Sequence, residues 1–478
     1  MSHKQDAISG GKWLTTSTAV STVFQFVQVA VLARLLEPSA FGIVSVSTLV
    51  IAFFNIFANL GFSNSIIYKQ ETDRRVLSSL YLLNLSLGLL LAMVIFFSAP
   101  LIVSYYKEPR LNRVIRLSSV YFLIVYLGQI YYFLLQKELR FKAVASIDIL
   151  GTVVGTTTTI ALAHGGFAEL ALIYGQLVSQ GVRTIFQIAF GRQIFKPALS
   201  FDRALINDHL KFGLYNVGDG VIGFIQANSD NILVGGMLGV KLLGYYTLAS
   251  QLAVFPVSRL NPIILQVAYP ILARMKGDSD QLKKSYLTIL DLISYVNLPL
   301  LAGLFVTADS VVQLFYGPGW QETVHLIRIF VFVSLFSSLS NPLFTLAFSK
   351  GKPQLLFYLN VATLFIKLPL VYGLAQYWGV TGIAVAFLTA TFLNMVANLI
   401  IVQSLIGDFL RTFLLNLAKP VLFCLLMVSA IILYKIFVGW LSLVDTLAEI
   451  TIGGLLFVAL TLQYKLSLTE LKALRKAI

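Results

Sequence analysis

The residues best able to do chemistry in this 478-residue chain lie inside apolar sequence. Asn216, Asp219, Gly223, Gln226 and Asp230 follow one another at steps of three and four, which sets all five on one helical face. Thr15, Thr18, Thr22 and Gln25 form a second polar stripe, Thr48, Asn55 and Asn59 a third, and Gln251, Ser258, Arg259 and Asn261 a fourth. In a membrane helix such stripes turn away from lipid, towards protein or water. For isolated Ser and Thr the plain account is hydrogen bonding between helices, about 0.6 kcal/mol each. A stripe holding two carboxylates asks for more than that. Asp219 and Asp230 are expected to face a water-filled cavity.

Four cations also sit within apolar runs: Arg183, Arg259, Arg328 and Lys367. Arg328 is near a helix end and is expected to snorkel. Arg183 stands about two turns from an end, where snorkelling and function are both open. Arg259 and Lys367 are deeper. A charged amine in hydrocarbon costs about 2.5–3.5 kcal/mol on insertion scales. Lys367 therefore needs a partner, and two readings stand. It is a cationic anchor for an anionic substrate, with Arg259 or Arg183 as companions, or it pairs with an acid such as Asp219 or Asp230. Asp148 and Asp291 lie nearer one face, as interfacial acids or as helix partners.

No catalytic signature accompanies these groups. A phosphate-binding Gly-rich loop, a GxSxG elbow and an HExxH helix are all missing from the sequence. His3, His164, His209 and His325 are too scattered for a metal site. Cys424 is the only cysteine, so no intrachain disulfide can form. No cofactor and no enzymatic activity are expected.

The elements that hold these residues are membrane helices. Hydrophobic residues make up 58% of the chain and charged residues 12%. Apolar runs of about 20–28 residues recur between short charged punctuation. They predict spans near 13–33, 41–67, 77–104, 117–135, 143–163, 168–190, 212–237, 242–269, 285–307, 323–348, 354–376, 380–404, 414–438 and 443–463, about fourteen crossings. The run from Trp13 to Leu32 is too long for a signal-peptide core and reads as a retained first helix. The net charge of +14 lies in short loops, not on a solvated basic face, which argues against nucleic acid. Lys and Arg concentrate in alternate loops and in both tails, placing the termini in the cytoplasm. One turn on the other side dissents, with Lys107, Arg110, Arg113 and Arg116 in "YYKEPRLNRVIR".

The chain also repeats itself. "LARLLEPSAFGIVSVS" (32–47) lies over "VGGMLGVKLLGYYTLA" (234–249), which sets Gly42 on Gly244 and Asn59 on Asn261. "LAHGGFAELAL" (162–172) resembles "AQYWGVTGIAV" (375–385). The expected architecture is all-α: a six-helix lobe over 1–200, a pseudo-symmetric second lobe over 201–405, and two further helices with a tail over 406–478. Pro256, Pro262, Pro299, Pro342 and Pro369 are expected to make the second lobe the more bent one, first-lobe helices being taken as free of interior proline.

"GKWLTTSTAVSTVFQFVQVAVLARLLEPSAFGIVSV", "LLQKELRFKAVASIDILG", "NSDNILVGGMLGVKLLGYYTLASQL", "AYPILAR" and "YGPGWQET", in this order, resemble the polysaccharide-synthesis (Wzx-type) flippases of the multidrug/oligosaccharidyl-lipid/polysaccharide superfamily, nearest the colanic acid exporter branch. The resemblance implies a flippase that moves an undecaprenyl-pyrophosphate-linked oligosaccharide across the bacterial inner membrane by alternating access, driven by an ion gradient. It implies membrane lipids as surroundings, polysaccharide polymerase and glycosyltransferases as partners, and a monomer. The family offers no binding motif to carry over. On polarity and depth alone, the substrate-binding candidates are Lys367, Arg259, Arg183, Asn59, Asn261, Gln25 and Gln226, and the ion-coupling candidates are Asp219 and Asp230. A drug or ion antiporter of the same superfamily would share this fold. A polytopic polysaccharide polymerase or ligase would want a sizeable external loop with His, Arg or acidic residues, and the external loops here are short.

Overall fold

A computed structural model describes residues 2–58, 71–198, 201–275, 278–439 and 442–465, with the side chains of 2–9, 58, 203–216, 219 and 465 outside the description. Asn59 and the side chains of Asn216 and Asp219 therefore lie outside the described residues. Among the described residues the chain is helical, without strands. Its helices are α1 (Ser2–Leu35), α2 (Pro38–Ala58), α3 (Arg74–Tyr106), α4 (Arg110–Lys137), α5 (Phe141–His164), α6 (Glu169–Gly191) and α7 (Arg203–Leu238). They continue with α8 (Val240–Arg274), α9 (Ser279–Phe315), α10 (Gln321–Ser340), α11 (Pro342–Ser349), α12 (Gln354–Ile406), α13 (Leu410–Phe437) and α14 (Leu443–Lys465). Eleven helical stretches among the described residues are long and apolar enough to cross a membrane.

Local chemistry marks where these helices start, stop and break. Asp73 caps α3 by accepting from the Arg75 N–H at 2.7 Å, and Asp278 caps α9 by accepting from the Asp280 and Gln281 N–H groups. The apolar run around 323–348 is divided, because Pro342 begins α11 one residue after Asn341. The two spans expected at 354–376 and 380–404 are two helical segments of α12 that meet at Gly379, whose φ of 57° and ψ of −134° leave the helical region, and beyond it Gly382 packs on the Leu374 carbonyl. One expectation is corrected. Pro100 lies inside α3, so the first-half helices are not free of interior proline.

The chain divides into two compact units, Met1–Gly244 and Tyr245–Ile478. In the first, Val76, Leu77, Leu80, Ile130, Tyr131 and Leu134 of α3 and α4 close a core with Phe195. In the second, Tyr286, Ile293, Leu343, Leu346, Phe409 and Phe413 do the same. There α13 and α14 pack on α9 through Tyr295, Leu298, Cys424, Met427, Ile431 and Phe457. Large apolar side chains also point outward: Phe97 is 73% exposed and Phe365 74%. In water such surfaces would aggregate; against lipid tails they are at no disadvantage.

Within the first unit, two glycines explain a close helix crossing. A Cβ on Gly42 would overlap the backbone carbonyl of Val240, and a Cβ on Gly244 would overlap the carbonyl of Pro38. The register that sets Gly42 on Gly244 also sets Pro38 on Val240. Each copy of the repeated segment thus lays its glycine on the other copy's equivalent backbone, as two related elements do about a local two-fold axis.

Candidate functional site

Helices α5 and α6 approach closely because small residues line their seam. Gly151, Gly155 and Thr159 of α5 face Arg183, Ser179 and Gly175 of α6, in reverse order. A Cβ on Gly175 would overlap Thr159 Oγ1, and one on Gly155 would crowd Ser179. Such small-residue spacing lets membrane helices pack backbone to backbone. Gly151 has a further effect: the vacant Cβ position is filled by the aliphatic stem of Arg183, which is thereby held along the α5 surface.

The guanidinium of Arg183 reaches a cavity of about 300 Å³ in the first unit. Arg183 Nη2 donates to Thr152 Oγ1 at 3.0 Å, and its Nε lies 4.0 Å from Asp148 Oδ1. Asp148 also accepts from the Tyr132 hydroxyl at 3.4 Å. The Nε is buried and has no hydrogen-bond partner. A guanidinium has five donors, and these contacts leave some of them for a ligand. Around it stand Gln25 and Gln28 of α1, Thr48 of α2, Tyr121 of α4, Thr156 of α5, and Gln176 and Gln180 of α6. Thr156 donates to Gln28 Oε1 at 2.9 Å, Thr152 meets Ser21 at 3.3 Å, and Asn55 hydrogen-bonds Tyr121. The cavity is thus a cation set among amides and hydroxyls. Chemically, it can hold a hydroxyl-rich group beside an anion.

Two of the sequence candidates, Arg183 and Gln25, meet in this cavity. The other candidates among the described side chains are placed elsewhere. Asn261 is buried in the second unit, donating to the Ser338 carbonyl at 3.2 Å and accepting from Asn297 at 2.7 Å, so its amide joins helices. Arg259 is exposed, 5.7 Å from the Phe255 ring centroid. Gln226 is half-buried and Asp230 is 2% exposed on α7. Arg328 forms an ion pair with Asp309. On α1, the hydroxyls of Thr15 and Thr18 donate to their own helix's carbonyls four residues back.

Lys367 is 3% exposed, with its amine 4.0 Å from the Phe387 ring centroid. Phe387 packs on Phe330, and Phe330 on Tyr246. A cation over a desolvated ring gains about 2 kcal/mol. Truncation therefore removes both packing volume and this attraction. Lys367→Ala is expected to lose about 2–5 kcal/mol of stability, seen as a lower melting temperature in detergent. Lys367→Met fills the volume and should stay abundant. A melting temperature for Lys367→Ala equal to that of wild type would mean that the lysine is not held as the ring contact implies.

Several cavity residues were not singled out from sequence: Gln28, Tyr121, Gln176 and Gln180. A signal was available on α6. Gln176, Gln180, Arg183 and Gln187 recur at steps of three and four, a polar face of amides that includes one cation. Among the described residues no cluster of His, Cys, Asp and Glu could hold a metal ion.

Comparison with known proteins agrees with this architecture. A family model described as "Polysaccharide biosynthesis protein" matches residues 31–325. The lipopolysaccharide biosynthesis protein WzxC of Escherichia coli (strain K12) is 31% identical over 421 residues, covering 88% of this chain and 86% of that protein. The teichuronic acid biosynthesis protein TuaB of Bacillus subtilis (strain 168) is 30% identical, with 86% and 83% covered. In fold, the inward closed lipid II flippase MurJ superposes with a TM-score of 0.73 at 16% identity, covering 94% of this chain and 97% of that one. An inward-facing multidrug resistance MATE transporter gives 0.60 at 18% identity, with 80% and 95% covered. With most of its length matched at this level, the chain belongs to the polysaccharide biosynthesis protein family, as a Wzx-type membrane transporter homologue with the fold that MurJ and MATE transporters share.

Proposed function

We propose that this protein is a flippase that carries an undecaprenyl-pyrophosphate-linked oligosaccharide from the inner to the outer leaflet of the bacterial cytoplasmic membrane. The single observation that carries the reading is the Arg183 cavity, where a half-buried guanidinium stands among Gln and Thr side chains. The cargo has the complementary parts: an anionic pyrophosphate and a glycan dense in hydroxyls. Its lipid tail has no need of a polar site and can stay in the bilayer. The names of the relatives, which concern lipopolysaccharide and teichuronic acid biosynthesis, support the same chemistry.

In this reading the protein alternates between inward-open and outward-open states, both termini are cytoplasmic, and one copy suffices. Arg183 takes the pyrophosphate, and Gln25 is one of the amides that hold the glycan. Lys367 meets the pyrophosphate in a state where Phe387 has swung aside. Asp230 and Asp219 couple the cycle to an ion gradient. Glycosyltransferases would supply the cargo and a polymerase would consume it.

The test uses purified protein in liposomes loaded with a fluorescent lipid-linked oligosaccharide. Expected is protein-dependent exposure of the glycan to an external glycosidase, faster with an imposed proton or sodium gradient. A reporter fused after Ile478 should be active in its cytoplasmic form. Protein that exposes no glycan, yet drives gradient-dependent efflux of cationic dyes, would replace the flippase with a drug antiporter.

A further inference from the structure

A second and larger cavity, about 910 Å³, lies in the first unit between the facing ends of α3 and α4. Leu89, Met93 and Phe97 form one wall, and Leu117, Val120 and Leu123 the other. Most of these side chains are exposed, so the groove opens on the surroundings rather than on another helix. From residue 89 to 97 the α3 wall rises about 12 Å, and from 112 to 123 the α4 side rises about 16 Å. Half of a bilayer's hydrocarbon core is about 15 Å. The groove therefore has the depth of one leaflet.

Its end near the α3–α4 turn is cationic. Arg113 and Arg116 line it, both exposed, on successive turns of α4. The Arg116 guanidinium lies 4.9 Å from the Phe96 ring centroid, beside the groove wall. Asn112 Oδ1, also at this end, is buried and has no hydrogen-bond partner. Arg110 is differently occupied: it bonds Glu108 at 3.0 Å and approaches Glu169 at 3.9 Å. That bond holds the Glu108 carboxyl below its usual range. These arginines belong to the one turn that dissents from the positive-inside pattern, so orientation in the membrane does not account for them.

We propose that this groove holds a polyprenyl pyrophosphate lipid in the receiving leaflet, its chain between α3 and α4 and its pyrophosphate on Arg113 and Arg116. The ligand's identity rests on the flippase reading above. Planar guanidiniums suit phosphate oxygens, and an apolar trough suits a long isoprenoid chain. The site would retain the lipid after its glycan has crossed.

The experiment uses full-length protein in nanodiscs of neutral phosphatidylcholine, titrated with undecaprenyl pyrophosphate that carries no sugar, with occupancy read by native mass spectrometry. Wild type is expected to bind the lipid saturably, and Arg183→Ala, whose cavity has lost its cation, should still bind one lipid at the groove. The double variant Arg113→Gln, Arg116→Gln should bind about tenfold or more weakly, with an unchanged melting temperature. Leu89→Trp, which fills the trough, should weaken binding as well. Binding by the double variant equal to that of wild type would overturn the proposal. So would equal competition from phosphatidylglycerol, which would make this a general anionic-lipid site, or equally tight binding of inorganic pyrophosphate, which would leave the trough without a role. Because the probe has no glycan, the result is separable from transport. Protein that binds this lipid at the arginines but exposes no oligosaccharide in liposomes would sink the flippase reading and leave the groove standing.

Discussion

Arg183→Ala is expected to slow oligosaccharide flipping by about 30-fold or more while the protein remains abundant in the membrane. Removing one member of a desolvated, hydrogen-bonded charge contact costs about 2–5 kcal/mol, and each 1.4 kcal/mol is about tenfold. Arg183 has the only guanidinium among the residues lining its cavity, and its side chain is 31% exposed. Losing it would leave Asp148 beside the cavity with Tyr132 as its remaining bond. The control is therefore Arg183→Ala with Asp148→Asn, which removes the stranded acid. Arg183→Lys keeps the charge but not the fork, and should be intermediate. The measurement is the initial rate of glycan exposure in liposomes, normalised to protein. A rate for Arg183→Ala within twofold of wild type would remove the cavity from the mechanism.

A large effect on folding is also expected at the α2–α8 crossing. Adding even one methyl at Gly42 or Gly244 places it on a carbonyl oxygen of the partner backbone. No side chain can rotate to relieve this, so the helices must separate along the seam. Overpacking of this kind costs about 1–3 kcal/mol or more, and losses of that size change abundance several-fold. Gly42→Val and Gly244→Val should both leave little protein in the membrane, and to a similar degree. Gly218→Ala is the control: its helix position is exposed and a Cβ there meets no atom within 4 Å. That change should be neutral, or stabilising by up to about 1 kcal/mol. Unimpaired abundance of the Gly42→Val protein, measured by immunoblot of membranes, would refute the crossing.

The distinction between the two glycine classes was only half legible in the sequence. Gly42 and Gly244 stood out because the repeat pairs them. Their neighbours, and hence the reason for glycine, came from the fold. Gly151 and Gly155 carried a visible small-residue spacing, yet nothing in the sequence said that an arginine stem would fill one of them. In the same way, depth set Lys367 ahead of Arg183 as the substrate cation, with Arg183 only a companion. Both are cations in apolar runs. One stands at a cavity and the other beneath a phenylalanine ring.

By itself the sequence determined the class of the molecule, the rough extent of most helices and which faces were polar. These follow from local quantities: apolar run length sets a membrane span, and a spacing of three and four sets a helical face. Only the tertiary structure decided what each polar face meets. Asn261 and Arg183 were both substrate-binding candidates on polarity and depth. In the structure Asn261 spends its hydrogen bonds on Asn297 and the Ser338 carbonyl, while the half-buried Arg183 bonds Thr152 and lines an open cavity. The difference lies in residues far away in the chain that happen to pack opposite, and periodicity along one helix holds no record of its neighbours.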